Sequence, residues 1–367
     1  MAGEYIGYAK KYFDYAKKGP LHPKAKEAME NYIRFDIGID EEEEVKILSE
    51  VRDLSAKLLG CRSDEIALVP SVSLAAASVA YSLPYRGKKR VITNNLEFGS
   101  NRFPWYIMSR FGYRVDVIKF DKVVDEQKII QSLSVDAELL AISHIFYSSG
   151  YRANITEIYD AVKAYDTYLF LDAYQSVGVV KVDAKHSDFI ATGSGKWLLS
   201  TPGAGFLYVK KKILEKLIPP FQGWFSHKDI WSFSDIEYRR ASSGRMLEAG
   251  YPPILDYISL HATLRELLKI GIDNIERRVR SLTTWIIDEL ALIKGVNLVT
   301  PRNPKKRGGI ISFNIGKNTE KLYMYLLSRG YKLSLRLSNI RISVHYFTAE
   351  EDISSLITDI KTFISKY

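Results

Sequence analysis

Short apolar runs of strand length recur through the first two-thirds of the chain, separated by stretches whose apolar positions fall at helical spacing. The runs are Arg90-Val91-Ile92-Thr93, Val115-Asp116-Val117-Ile118, Leu139-Leu140-Ala141-Ile142-Ser143, Tyr168 to Asp172, Asp188-Phe189-Ile190-Ala191 and Gly205-Phe206-Leu207-Tyr208-Val209. Between them, Asn154 to Ala164 puts Ile155, Ile158, Tyr159 and Val162 on one helical face. This alternation predicts βαβ units and an α/β fold with a mostly parallel sheet. Residues 251 to 290 read as one long helix, with Ile254, Ile258, Leu264, Leu267 and Leu268 among its apolar positions. Beyond it, Gly309 to Asn314, a helix near 319 to 329, Ile340-Arg341-Ile342-Ser343 and a final helix predict a compact α+β unit.

Composition changes this picture little. A chain of 367 residues with 46% apolar content can bury a large core and suggests two domains. No apolar run reaches the ~20 residues that span a bilayer, and Met1 to Tyr5 lacks the pattern of a signal peptide, so a cytoplasmic location and no membrane partner are expected. Cys61, the single cysteine, excludes an internal disulfide framework and any multi-cysteine metal site, and no metal is expected. The net charge of +9 is compatible with nucleic acid, an acidic partner or anionic small molecules such as phosphate and carboxylates. The basic residues are scattered; Lys210-Lys211-Lys212 and Lys305-Lys306-Arg307 stand beside turn signals and read as solvated loops, so no nucleic-acid partner is expected.

The candidate chemistry centres on Lys196, in the glycine-rich bend Thr192-Gly193-Ser194-Gly195-Lys196-Trp197. Asp172 ends the run Tyr168-Leu169-Phe170-Leu171, where a strand would present it at the sheet's carboxyl edge, and Gln175 follows by three. The trio suggests a pyridoxal phosphate enzyme, because that cofactor needs an amine for a Schiff base, a carboxylate to keep its pyridine nitrogen protonated, and donors for its phosphate. Phosphate suits a helix N-terminus such as the one that Val69-Pro70-Ser71-Val72-Ser73 opens.

Leu169 to Gly178, Asp183, Asp188, Lys196-Trp197-Leu198 and Pro202 to Tyr208 together resemble the signature region of class V aminotransferases, which are fold type I pyridoxal phosphate enzymes. The likeness runs from Tyr12-Phe13-Asp14-Tyr15-Ala16 to Arg341. It implies a large domain, 21–250, with a mostly parallel seven-stranded sheet, a connecting long helix and small α+β domain, 251–367, and an N-terminal segment, 1–20, near the active site. It further implies that Lys196 forms the Schiff base, Asp172 pairs with the pyridinium nitrogen and Gln175 bonds the phenolic oxygen. Val72 and Ser73 match the phosphate-binding position, Ser194 counts among the cofactor-binding residues, and Phe98 matches the ring-stacking position, where many members carry histidine. Tyr147 falls near a cofactor-oxygen position, and Tyr251 stands where a residue, often threonine, crosses a dimer interface to the phosphate. Arg341 matches the arginine that binds the substrate's α-carboxylate; an arginine in an apolar strand otherwise needs an acidic partner, and none is evident in the sequence.

Cysteine desulfurases, a branch of this family, need a thiol on a loop just before Arg341. Here Gly330 to Leu337 runs almost directly into Ile340-Arg341, and Cys61 reads as a small core residue. Gly195 precedes the lysine where many members carry histidine, so Lys196 itself is expected to move protons. The implied enzyme is a homodimeric aminotransferase acting on an amino acid and a 2-oxo acid. Amino-acid epimerisation and C–S or β-elimination use the same cofactor contacts, and a non-enzymatic basic binding protein is the remaining alternative.

Overall fold

Six of the apolar runs become strands of a single sheet: β2 (Arg90–Asn94), β3 (Arg114–Ile118), β4 (Ala137–Ser143), β5 (Tyr168–Asp172), β6 (Phe189–Gly193) and β7 (Gly205–Val209). A short strand, β1 (Ile66–Leu68), completes seven in the order β1-β7-β6-β5-β4-β2-β3. The computed structural model describes residues 10–34, 40–84, 86–234 and 236–366. Only β7 runs against its neighbours. Every residue of β4 to β7 is buried, as expected of central strands with both faces covered. Leu169 and Leu171 point into one apolar core with Ile142 and Ile158, while Phe170 points into the other with Trp105 and Phe189.

A smaller antiparallel sheet follows, β8 (Asn297–Leu298), β9 (Ile310–Asn314), β10 (Ser334–Arg336) and β11 (Asn339–Ser343), in the order β10-β11-β9-β8. Ile311, Phe313, Ile340 and Ile342 form its apolar face and share a core with Leu322, Leu326, Ile353 and Leu356 of helices Thr319–Ser328 and Glu350–Ile364. The register sets Arg341 opposite both Ser334 and Ser312, so the other face carries a polar row.

The long helix expected over 251–290 is instead two, Ile254–Ile270 and Ile272–Ala291. Gly271 separates them at φ +86°, a left-handed backbone open to glycine and strained for other residues. The N-terminal segment lies across both sheets; its residues 1–9 fall outside the described ones. Tyr12 and Asp14 bridge to Lys332 and Ser343, while the amides of Gly19 and His22 donate to the carbonyls of Gly195 and Leu199. No helix among the described residues is long and apolar enough to cross a membrane.

Candidate active site at the carboxyl edge of the sheet

Lys196 sits in the loop that reverses β6 into β7. Glycines let neighbouring chain come against this loop: a Cβ on Gly193 would lie 2.8 Å from the Tyr174 ring, and one on Gly19 would lie 2.0 Å from the Lys196 carbonyl oxygen. The Ser194 hydroxyl faces inward onto the carbonyls of Thr201 and Ala204, 2.7 Å from the latter. Its amide donates to the Ala204 carbonyl at 3.0 Å and its carbonyl accepts from the Ser200 amide at 3.2 Å, so Ser194 braces the loop with side chain and backbone alike.

The Lys196 amine stands 4.2 Å from the centre of the Tyr174 ring and 5.7 Å from that of Phe98. Among the described residues it has no hydrogen bond and no ion pair. Burial lowers its pKa to about 8; Asp172 opposes that shift, and Arg341 and Arg336 add to it. An amine in this state is a nucleophile near neutral pH.

Asp172, the last residue of β5, is 6% exposed. One carboxylate oxygen accepts from the Tyr174 amide at 2.9 Å, and the other has no hydrogen bond among the described residues. Burial raises its pKa, while the Tyr174 N–H and the Lys196 charge hold it down. The open oxygen suits a cationic N–H donor such as a pyridinium.

Gln175 is engaged at both ends of its amide: it donates to the Ala16 carbonyl at 3.0 Å and accepts from the Trp197 indole at 2.8 Å. One amide hydrogen remains for a phenolic oxygen. Helix Val72–Ser82 begins with the Ser71 hydroxyl accepting from the Leu74 amide at 3.3 Å. The amides of Val72 and Ser73 have no acceptor among the described residues, and the Ser73 side chain is exposed. These are free donors at a positive helix end, the chemistry a phosphate monoester needs.

Phe98 is 52% exposed and meets Tyr147 edge-on at 5.3 Å. The Tyr147 carbonyl in turn accepts from Arg341 at 2.9 Å. Lys196, Phe98, Tyr147 and Arg341 thus form one chain of contacts. Tyr251 is not part of it: its hydroxyl bonds Glu44, and its ring lies against Trp224 and Phe225.

Arg341 has the acidic partner that the sequence did not reveal. The guanidinium, 2% exposed, reaches Asp14 of the N-terminal segment at 3.3 Å, and Ser334 donates to both oxygens of that aspartate at 2.7 and 2.8 Å. The Arg341 Nε and the facing Ser312 hydroxyl are buried without partners. With Asp14 in contact, the arginine is already half neutralised.

Sequence reasoning gave no role to Asp14, Tyr174, Glu97 or Arg336. Asp14 lies within the Tyr12-Phe13-Asp14-Tyr15-Ala16 stretch, but its partners are more than 300 residues away, so no local pattern ties them. Glu97, next to Phe98, is buried and accepts from Asn94, Asn101 and both the amide and hydroxyl of Ser143. Burial pushes its pKa up to about 7 against those donors, and it couples to Asp172. Arg336 shares a strand face with Ser334 by its spacing of two. Tyr174 was visible between Asp172 and Gln175, yet only the fold lays its ring beside Lys196.

Cys61 is half-buried against the core and its thiol pKa is raised to about 12, chiefly by burial. It interacts with Tyr208 near the far end of β7, whereas Lys196 lies beyond the opposite end, where Gly193 pairs Gly205. The run Lys305-Lys306-Arg307 is no solvated loop throughout: Arg307 is 3% exposed and bonds Thr284 at 2.6 Å, and Lys306 pairs with Glu126 at 2.6 Å.

The aminotransferase class-V family model matches residues 34–356. An uncharacterized aminotransferase of Bacillus subtilis, YcbU, is 30% identical over 312 residues, covering 84% of this chain and 82% of its own. A probable cysteine desulfurase of Pyrococcus abyssi is 31% identical over 279 residues, covering 72% and 67%. Among solved structures, the C-DES protein with glycine covalently linked to its PLP cofactor superposes with a TM-score of 0.89 at 19% identity, over 98% of this chain and 99% of that one. A cysteine desulfurase of Thermococcus onnurineus gives 0.85 at 23%, over 97% and 95%.

Proposed function

This chain belongs to the class V aminotransferases, a family of fold type I pyridoxal phosphate enzymes, and from that premise we propose that it is an aminotransferase acting on an amino acid, with Lys196 as Schiff-base lysine and proton carrier. The observation that carries the reading is the enclosed Lys196 amine, free of any hydrogen bond or ion pair among the described residues, coupled to an aspartate with one oxygen open. The residues fit the cofactor: Lys196 for its aldehyde, Asp172 for its ring nitrogen, the Val72 and Ser73 amides with the Ser73 hydroxyl for its phosphate, Phe98 for its ring face, and Gln175 and Tyr147 near its phenolic oxygen. When bound, the cofactor supplies an electron sink for charge that develops on the substrate's α-carbon.

The protein's own residues do the rest. Asp172 holds a proton on the ring nitrogen by keeping its charge where burial alone would remove it. Once the substrate amine replaces it, the Lys196 amine would take the proton from the substrate's α-carbon and deliver it to the cofactor's C4′ carbon, the relocation transamination needs, because neither Phe98 nor Gly195 offers an imidazole. Arg341 takes the α-carboxylate through its guanidinium, in exchange for part of its contact with Asp14. Tyr174 and Phe98 lie over the amine and restrict water.

Two alternatives use the same contacts, amino-acid epimerisation and elimination at a C–S or other β bond. Desulfurase chemistry through an internal thiol is disfavoured by the position and raised pKa of Cys61. We infer a homodimer, with Tyr251 at the subunit interface beside the exposed aromatics Trp224, Phe233 and Trp231, which meet one another in turn. The proposed domain limits are residues 21–250 and 251–367, with 1–20 as a segment packing near the active site. The decisive experiment incubates the pyridoxal phosphate-loaded protein with a panel of amino acids, following its absorbance and assaying keto acid, ammonia, sulfide and racemisation. Stoichiometric keto acid supports transamination. A protein that stays colourless with added cofactor, and that borohydride does not label at Lys196, overturns the reading.

A further inference from the structure

The polar face of the small sheet carries two arginines. Arg341 lies opposite Ser334, and Arg336 lies opposite Asn339, one step nearer the hairpin turn. Side chains alternate between the faces of a strand, so Arg336 leaves β10 on the side of Ser334. The Ser334 hydroxyl meets Asp14 at 2.7 Å and lies 3.4 Å from the Arg341 guanidinium, which fixes that side as the one bearing the carboxylate clamp. Leu335, between them, packs the other way against the apolar core. The turn is only two residues, Leu337 and Ser338, at φ +47° and +60°, so no loop carries Arg336 away from the sheet.

The two arginines differ in what they hold. Arg341 donates from Nη1 to the Tyr147 carbonyl at 2.9 Å and from Nη2 to Asp14 at 3.3 Å. Arg336 is half-buried, donates from Nη1 to the Leu335 carbonyl at 2.8 Å, and belongs to no ion pair among the described residues. Its Nε and Nη2, two parallel donors along one edge of the guanidinium, have no acceptor among the described residues. That edge matches the two oxygens of a carboxylate. The charge is felt at the reacting amine: burial is the first cause of the lowered pKa of both Lys196 and Arg341, and Arg336 adds to both. Asp14 and Asp172 do not supply the missing counter-charge, since Asp14 is held by Ser334 and Arg341, and Asp172 by the Tyr174 amide.

We propose that the substrate is an amino acid with a second carboxylate on its side chain, of the aspartate or glutamate class, and that Arg336 binds this carboxylate through Nε and Nη2 while Arg341 takes the first. The inference rests on the aminotransferase reading and names its substrate class. Diagonal neighbours on one face of an antiparallel pair stand about 7–8 Å apart, a distance that two arginine side chains and a four- or five-carbon diacid can span. A neutral side chain leaves the Arg336 edge unpaired and a basic one is repelled by it, so selectivity has a physical source. The matching 2-oxo diacid would engage the same two arginines in the return half of the reaction.

The test uses protein loaded with pyridoxal phosphate and freed of excess. It is titrated by calorimetry with succinate, glutarate and butyrate, and its half-reaction is followed by absorbance with L-aspartate, L-glutamate, L-glutamine and L-alanine. The better diacid should bind at least about tenfold more tightly than butyrate, and the better acidic amino acid should exceed L-glutamine by at least about tenfold in half-reaction efficiency. Arg336→Gln should abolish both preferences while butyrate affinity and the L-alanine half-reaction stay within about twofold, and Arg336→Lys should restore part of the diacid binding. Diacids that bind no more tightly than butyrate, or an Arg336→Gln variant that weakens diacids and butyrate alike, overturn the inference. A diacid preference that depends on Arg336, with no keto acid formed from any amino acid, overturns the aminotransferase reading and leaves the assignment of Arg336 intact.

Discussion

Two encounters of opposite charge flank the same cleft and are built differently. Lys196 and Asp172 are held close enough to couple but form no ion pair, so each keeps a reactive atom open. Arg341 and Asp14 are joined, 2% and 6% exposed, and Ser334 completes the aspartate's bonding. The first pair is arranged for a ligand that comes between its members. The second is partly satisfied before any substrate arrives, so an α-carboxylate must compete with Asp14 for the guanidinium.

The largest effect should come from breaking the open pair. Lys196→Ala is expected to lower kcat/KM by about 10³-fold or more, the scale of a lost nucleophile and proton carrier. Half-reaction spectra that persist at the parent rate would remove Lys196 from the mechanism. Asp172→Asn keeps the Tyr174 contact and removes the charge, and should lower kcat by about 10²-fold with a shifted cofactor absorbance. An unchanged spectrum would leave its ring-nitrogen role without support.

The pH response sharpens the same side of the comparison. With the amine pKa at about 8, cofactor loading of the apoprotein should slow about tenfold per pH unit below 8 and level off above it. The folded pKa is depressed from the ordinary 10.5, so the unfolded chain holds more protons between those values. Apoprotein stability should therefore rise with pH over that window relative to a Lys196→Met variant. A flat difference between the two would show that the folded amine titrates normally.

The smallest expected change lies at the closed pair. Asp14→Asn leaves a buried guanidinium short of its counter-charge, so stability without substrate should fall by about 1–3 kcal/mol. With the competitor gone, KM for the amino acid should fall several-fold while kcat stays within about twofold. Chemical denaturation with and without substrate, beside steady-state kinetics, separates the two effects. If KM rises instead, Asp14 supports the arginine rather than competing with the carboxylate.

Much of this molecule was legible from apolar periodicity, because buried parallel strands require short apolar runs. β2 to β7 fall within a residue or two of the runs that predicted them. The break at Gly271 was missed because apolar spacing continues on both sides of it, and a single glycine inside a helical pattern does not by itself fix a left-handed turn. The trio Asp172, Gln175 and Lys196 was visible as residue types at strand ends. Gln175's engagement with Ala16 and Trp197 was not, since both partners depend on where the N-terminal segment crosses.

What the sequence determined by itself was the α/β architecture, the family and the chemical candidates around Lys196, because periodicity and short motifs are local properties. The tertiary structure alone decided that Asp14 meets Arg341 and that the Tyr174 ring lies against the amine. Those are meetings of residues distant in sequence or set by side-chain direction, and burial then fixes their charge and their unmet hydrogen bonds.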